Sequence, residues 1–327
     1  MVQPDLPLKD ALARYLADCR RRNLRPATLF YYETAIERVT SDRCPTLEDF
    51  TRDNVRDFQD NSPTLSAGSM RGYLRASRTF STWLFKEELI DSDPLANLAV
   101  PKVDRNIVEV PSDQELFALL DAAGPPLRVV VALLAGAGLR ISDVCGLDIP
   151  DLRIDRLHVR TTKSRNGRVV PLDDVLAPVL HAYLADLRPI PRQFDTEALF
   201  LSRTTRRLTA GCVRLALTAA VCRAGISVDV SPHVLRHWFA RDLAAHETTD
   251  RLMGARMGWT SDSLMARYAP VSEAELALDT QRYSPLHRLA EGGGLNRRLP
   301  LRTRSRSRVA SRSNNVAVIG RSVDGTR

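Results

Sequence analysis

The sequence predicts a mainly α protein of two domains, an N-terminal helical bundle and a C-terminal α+β domain with a small antiparallel sheet. Three observations carry this expectation. Apolar residues recur at helical spacing through the first hundred positions. The stretch from Pro101 to Pro111 then interrupts the pattern without a stripe of its own. Beyond it, two short segments of strand character flank Asn166-Gly167, a strong hairpin signal, inside a region that otherwise reads as helix. A length of 327 residues also exceeds what one compact domain usually holds.

Taken in order, Ala11, Leu12, Tyr15 and Leu16 form a first stripe and Leu29, Tyr32, Ile36 and Val39 a second. Pro26 suits the first turn of the second helix. Thr46 to Phe50 opens a shorter helix, and Tyr73, Ala76, Phe80 and Trp83 mark a long one. Asp93-Pro94 closes this four-helix outline. Aromatic residues at that spacing belong to a core, whereas Arg71, Arg75 and Arg78 between them face outward, as a solvated face or as phosphate contacts. Ser112-Asp-Gln-Glu115 reads as a capping box that opens the next domain. Residues 112–147 are helical in pattern, Leu157, Val159 and Thr161 alternate as a strand does, and Arg168 to Leu172 returns. Helices follow to about 283. The expected division is therefore a helical domain over 1–100, a linker over 101–111, a second domain over 112–283 and a basic disordered tail over 284–327.

The net charge of +8 points to an anionic partner, but its location matters. Residues 284–327 carry ten arginines against Glu291 and Asp324, so the tail holds the whole excess and the remaining chain is neutral. A DNA-binding body would have to gather its cations on one face. The tail, rich in Ser, Gly and Arg, reads as disordered, either a nonspecific phosphate grip or an appendage. Five cysteines show neither a CxxC pair nor zinc-like spacing to histidine. They read as reduced thiols of a cytosolic protein, most of them small core residues. No apolar run of about 18 residues suggests a membrane span, and the first ten residues lack a secretory pattern.

Cutting DNA without a metal needs a nucleophile, cations on the non-bridging phosphate oxygens and an acid for the leaving oxygen. The chain shows no convincing carboxylate cluster for a metal, so a metal-free set is the relevant search. Arginine suits the clamp because its planar fork grips phosphate bidentately and stays charged. Arg140 stands near the start of a helix, and Asp143, three residues on, shares its face and is placed to orient it. His233 and Arg236 repeat that geometry behind Pro232. Lys163 ends a strand at the hairpin, and Tyr268 lies in Ala266-Arg-Tyr-Ala-Pro270. Each alone has a bland reading: a surface ion pair, a capping histidine, a solvated lysine, a half-buried aromatic. Their order is more telling: Arg140, Lys163 after 23 residues, His233-Val-Leu-Arg236, Met257-Gly-Trp259, and Tyr268 nine residues beyond.

This succession resembles the tyrosine recombinase (phage integrase) family, whose catalytic order is Arg, Lys, His-x-x-Arg, His or Trp, and Tyr. Gly138-Leu-Arg140 to Leu147 resembles its first-arginine box, and Arg168-Val-Val-Pro-Leu172 the strand after its hairpin. Ser231 to Arg241 resembles its second-arginine box, and residues 7–95 resemble its helical core-binding domain. The resemblance covers roughly residues 7–283. Two features depart from it. Trp259 stands where many members carry histidine, and an indole N–H donates a hydrogen bond but cannot shuttle a proton. The tail matches nothing in the family.

The resemblance implies that Tyr268 attacks the scissile phosphorus and forms a 3′-phosphotyrosine. Arg140 and Arg236 would stabilise the phosphorane, His233 would accept the phenolic proton, Lys163 would protonate the leaving 5′ oxygen, and Asp143 would support Arg140. His237 reads as structural. The first hundred residues, with Arg71, Arg75 and Arg78, would bind double-stranded DNA. A homotetramer on paired sites is implied, with no cofactor, metal or membrane, in the cytoplasm at the nucleoid. The first helix begins near Leu8, leaving no room for the arm-binding domain of lambda-type integrases, so the layout is Xer-like. Two other expectations share parts of this pattern: a type IB topoisomerase-like activity, and a DNA-binding regulator without catalysis.

Overall fold

A computed structural model describes residues 3, 5–102, 108–160, 167–190, 197–246, 248–258, 271–291, 295, 298 and 299. Lys163, Trp259 and Tyr268, with Thr161 and Asn166, lie outside the described residues. The chain divides into two compact units, Met1–Ile107 and Val108–Arg327.

In the first unit the stripes become α1 (Leu8–Arg21), α2 (Pro26–Thr40), α3 (Arg52–Asp60) and α4 (Ala67–Lys86). Pro26 occupies the first turn of α2, where its missing N–H costs nothing. Tyr15 anchors the core, its ring centroid 5.3 Å from both Phe80 and Trp83 and 5.6 Å from Tyr32. Asp93 closes the bundle by accepting from Thr82 Oγ1 and from the Leu95 N–H, both at 2.9 Å.

The third helix starts later than its sequence suggests. The Asp49 carboxylate accepts from the Thr46 N–H at 3.0 Å and from Thr46 Oγ1 at 2.7 Å, which closes a turn. The Leu47 N–H donates to the Leu6 carbonyl at 3.0 Å, holding the segment against the chain before α1. Short polar side chains compete with helix in this way. Thr51 then caps α3 by accepting from the Asn54 N–H.

In the second unit both bonds of the Ser112–Glu115 capping box form and open α5 (Asp113–Ala122). The central helix is α6 (Pro125–Gly136), buried from Val129 to Gly136 and packed against several neighbours. A short α7 (Ile141–Cys145) follows, so residues 112–147 are three helices separated by breaks. Strands β1 (Arg156–Val159) and β2 (Arg168–Pro171) pair antiparallel, with Leu157 opposite Val170 and Val159 opposite Arg168. They form the sheet present among the described residues. Then come α8 (Leu176–Ala182), α9 (Ala210–Ala224), α10 (Pro232–Ala245), α11 (Asp250–Met257), α12 (Glu273–Arg282) and α13 (Pro285–Glu291). No helix of the described residues is long and apolar enough to cross a membrane.

Two expectations need correction. The disordered tail does not begin at 284: α13 packs on α6, and Leu286, Leu289, Leu295 and Leu299 are all buried. Leu286 fills the space that a side chain at Gly136 would need, and Arg298 pairs with Asp121 at 2.7 Å. The arginine count of the last 44 residues hid an apolar spacing that continues the core. The cysteines are also less buried than expected. Cys19 and Cys44 are in the core, Cys145 is half-buried, and Cys212 and Cys222 are exposed.

Candidate active site

The site grows from two glycines that admit backbone conformations a side chain would oppose. Gly138 ends the turn after α6 at φ +60°, and an added Cβ would sit 2.4 Å from the Phe239 ring. Gly258 ends α11 at φ +58°, where a Cβ would sit 2.8 Å from the Arg168 guanidinium. These turns bring three arginines together.

Arg140 is the N-cap residue of α7 and donates from Nη2 to the Gly258 carbonyl at 3.1 Å. Arg236, one turn into α10 and only 5% exposed, donates to the carbonyls of Gly138 and Met257. Arg168 opens β2 and donates from Nη2 to the buried Asp143 carboxylate at 3.0 Å. Asp143 was expected to orient Arg140, three residues before it. Its ion pair is with Arg168 instead, because the second strand enters the same pocket and supplies a closer cation.

Electrostatics follow from this crowding. Burial, then the neighbouring Arg140 and Arg168, pull the Arg236 guanidinium down to about 10, with Asp143 opposing. At neutral pH that group remains a cation by roughly three units. Burial likewise lowers Arg168, against the pull of Asp143. Among the described residues the result is a cluster of three guanidiniums with one carboxylate, a net positive site chemically able to hold an anionic oxygen group.

His233 sits exposed in the first turn of α10, behind Ser231 and Pro232. Its Nε2 lies 2.9 Å from Nε2 of His237, one imidazole donating and the other accepting. Burial, then His237 and Arg236, hold His233 below the ordinary histidine value, which favours the neutral ring. His237, expected to be structural, therefore touches the candidate base directly.

On either side of residues 259–270, α11 and α12 are tied together. Arg251 pairs with Glu275, and the buried Arg256 pairs with Asp279 at 3.3 Å and donates to the Tyr283 carbonyl at 2.9 Å. The structure thus unites Arg140, Asp143, His233 and Arg236 in one region of the second unit. Lys163, Trp259 and Tyr268 lie outside the described residues. Sequence reasoning missed Arg168 and Gly258. The signal for Arg168 was a cation opening the strand that follows a lysine-bearing hairpin.

In the first unit, Arg75 and Arg78 are exposed on α4 and Arg71 is half-buried. Arg75 and Arg78 join Arg22 and Lys86 around a groove of about 460 Å³. Among the described residues no group of three or more His, Cys, Asp or Glu side chains is arranged to hold a metal ion.

Comparison with known proteins places these observations. Residues 112–275 match the Phage integrase family. The tyrosine recombinase XerC of Mycobacterium bovis is 31% identical over 261 residues, covering 75% of this chain and 87% of that protein. Among solved structures, a lambda integrase (75–356) dimer bound to a COC′ core site superposes with a TM-score of 0.67 at 19% identity. That match covers 82% of this chain and 100% of the other. A lambda integrase tetramer bound to a Holliday junction gives 0.64 at 20% identity, covering 81% and 78%.

Proposed function

The chain belongs to the phage integrase family and is a site-specific tyrosine recombinase, and we propose that it breaks and rejoins double-stranded DNA through Tyr268. Arg140, Lys163, His233, Arg236 and Trp259 serve that exchange. The observation that carries this assignment of residues is the convergence of Arg140 and Arg236 on the Gly258 and Met257 carbonyls. Both guanidiniums stand at the start of the chain segment that leads through Trp259 to Tyr268.

In this reading the Tyr268 oxygen attacks the scissile phosphorus, the bond to the 5′ oxygen breaks, and a 3′-phosphotyrosine holds the strand. A free phenol ionises near pH 10, so forming the phenolate at neutral pH costs roughly 4 kcal/mol. The arginine field lowers that cost and His233 accepts the proton. Arg140 and Arg236 bind the non-bridging oxygens as charge builds on them. Lys163 gives a proton to the departing 5′ oxygen. Trp259 donates its indole N–H at the same centre. Asp143 acts through its ion pair with Arg168. The bond energy stays in the phosphotyrosine, so religation by a 5′ hydroxyl reverses each step without a cofactor or a metal.

Binding of the duplex falls to both units, with Arg71, Arg75 and Arg78 on the first and the arginine cluster on the second. Four copies on two paired sites exchange strands through a Holliday junction, the assembly that the lambda integrase tetramer represents. A double-stranded DNA substrate favours a cytoplasmic, nucleoid-associated protein.

Nicked duplexes recovered from a randomised pool by covalent trapping with the wild-type protein supply the substrate for the tests. A bridging 5′-thio leaving group needs little protonation, so it should rescue Lys163→Ala by about 10²-fold or more, the worth of a lost general acid. Arg140→Ala and Arg236→Ala should gain much less. Equal rescue of all three removes Lys163 from the acid role. End-labelling of the adduct should place protein on the 3′ phosphate and leave a free 5′ hydroxyl.

The pH dependence has a defined sign. A histidine held below its ordinary value is neutral, and able to accept a proton, at neutral pH. Cleavage should therefore persist through the ordinary histidine range, about 6.5, and fall only at lower pH, as the ring becomes protonated. In His233→Asn the overall rate should be lower and that acid limb absent. A limb of the same position in the variant assigns it to another group.

A further inference from the structure

We propose that Arg168 is a positioning residue of strand cleavage: it keeps the buried Asp143 carboxylate from capturing Arg140 and seats Gly258 where the nucleophile segment begins. The inference rests on the assignment of Arg140 and Tyr268 above.

The Asp143 side chain is 3% exposed and Arg168 supplies its ion pair, at 3.0 Å. A buried carboxylate that loses its partner seeks another cation, since an unpaired charge in that setting is strongly unfavourable. Arg140 precedes Asp143 by three residues, at the N-terminus of the same short helix. The N-cap and N3 side chains of a helix reach back over the same first turn, as in a capping box. An Asp143–Arg140 pair would draw the guanidinium towards protein and away from the phosphate it is meant to clamp. Arg168 prevents this by occupying the carboxylate from β2.

A second contact couples Arg168 to the other half of the reaction. The guanidinium carbon and Nη1 lie only 2.8 Å from where a Cβ of Gly258 would be, so the planar group packs on that backbone. The Gly258 carbonyl is the acceptor for Arg140, and the Met257 carbonyl is an acceptor for Arg236. All three arginines therefore bear on the C-terminal end of α11, two through its carbonyls and Arg168 through its face. Burying Arg168 is costly: its Nε is buried without a hydrogen-bond partner among the described residues. A neutral side chain at this position of β2 would avoid that cost, but it would leave Asp143 unpaired.

The test measures single-turnover adduct formation on the trapped nicked duplex with the full-length protein, alongside binding and thermal melting. Arg168→Gln should slow adduct formation by roughly 10²-fold, the scale of one misplaced charge-stabilising group, with binding changed only a few-fold. Adding Asp143→Asn removes the competing carboxylate and should recover about tenfold, a coupling typical of residues in contact. Arg168→Lys, which keeps a cation beside Asp143, should recover part of the rate as well. If Arg168→Gln alone fails to melt cooperatively, the Asp143→Asn/Arg168→Gln protein carries the test and should cleave within about tenfold of wild type. A folded double variant no faster than Arg168→Gln, or slower than wild type by more than that margin when the single variant is unfolded, overturns the inference. So does an Arg168→Gln protein as fast as wild type. Tyr268→Phe separates the inference from the assignment beneath it. Adducts that persist in it overturn the assignment of Tyr268, and with it this inference. Adducts that vanish in it, without suppression by Asp143→Asn, overturn the inference alone.

Discussion

Tyr268→Phe is expected to abolish the covalent protein–DNA adduct while leaving affinity for the trapped duplex within a few-fold. The substitution removes one oxygen and no charge at neutral pH, so the arginine cluster and the phosphate contacts keep their electrostatics. Among the described residues, the side chains assigned to the site are guanidiniums, an imidazole assigned to proton transfer and a carboxylate held by Arg168, and none of these replaces the phenolic oxygen as an attacking group. The loss should reach about 10⁴-fold or more, as for removal of a covalent nucleophile elsewhere. The measurement is a detergent-resistant adduct on labelled DNA. An adduct formed by the Phe protein assigns the nucleophile to another residue.

The second large effect concerns the chain after Tyr283. Truncation there removes α13 and with it Leu286, Leu289, Leu295 and Leu299, each at most 4% exposed. Burial of a leucine is worth about 1.5–3 kcal/mol, so four of them match the whole stability of an ordinary domain, roughly 5–15 kcal/mol. The cut also removes Arg288, which pairs with Asp113 at 2.8 Å and with Asp242 at 2.7 Å and so joins α5 to α10. The second unit should lose its cooperative melting transition. Truncation after Leu299 keeps these interactions and should melt close to the full chain. It removes seven arginines, Arg302 to Arg327. If they grip phosphate, the log–log salt slope of binding should flatten by about 0.9 for each phosphate no longer neutralised. Cooperative melting of the Tyr283 truncation near the wild-type temperature contradicts the assignment of α13 to the core.

Most of the architecture was legible in local patterns. The stripes of α1, α2 and α4 lie on the buried faces, because 3.6-residue periodicity reports which side meets a core. The capping box at Ser112 and the pairing of β1 with β2 were readable for the same local reason. The start of α3 was not. Thr46 and Asp49 carry a helix-opening signature, and only the contact of that segment with the chain before α1 turns it into a closed turn.

The chemistry divides along a similar line. The proposed set of Arg140, Lys163, His233, Arg236, Trp259 and Tyr268 was readable from residue type and order, since proton transfer and phosphate contact each call for a particular functional group. Which groups touch was decided by tertiary structure. Asp143 was assigned to Arg140 by helical spacing, yet β2 brings Arg168 to it across a sequence separation of 25 residues. His237 was read as structural and lies against His233. Ten arginines made the C-terminal 44 residues look like a tail, while four leucines among them complete the core on α6 and its neighbours. Composition averages over a segment, whereas burial is settled residue by residue by what the rest of the chain brings into contact. Spacing along one helix likewise names possible partners, and the electrostatic preference of a buried carboxylate for its best-placed cation selects among them only once the fold has closed.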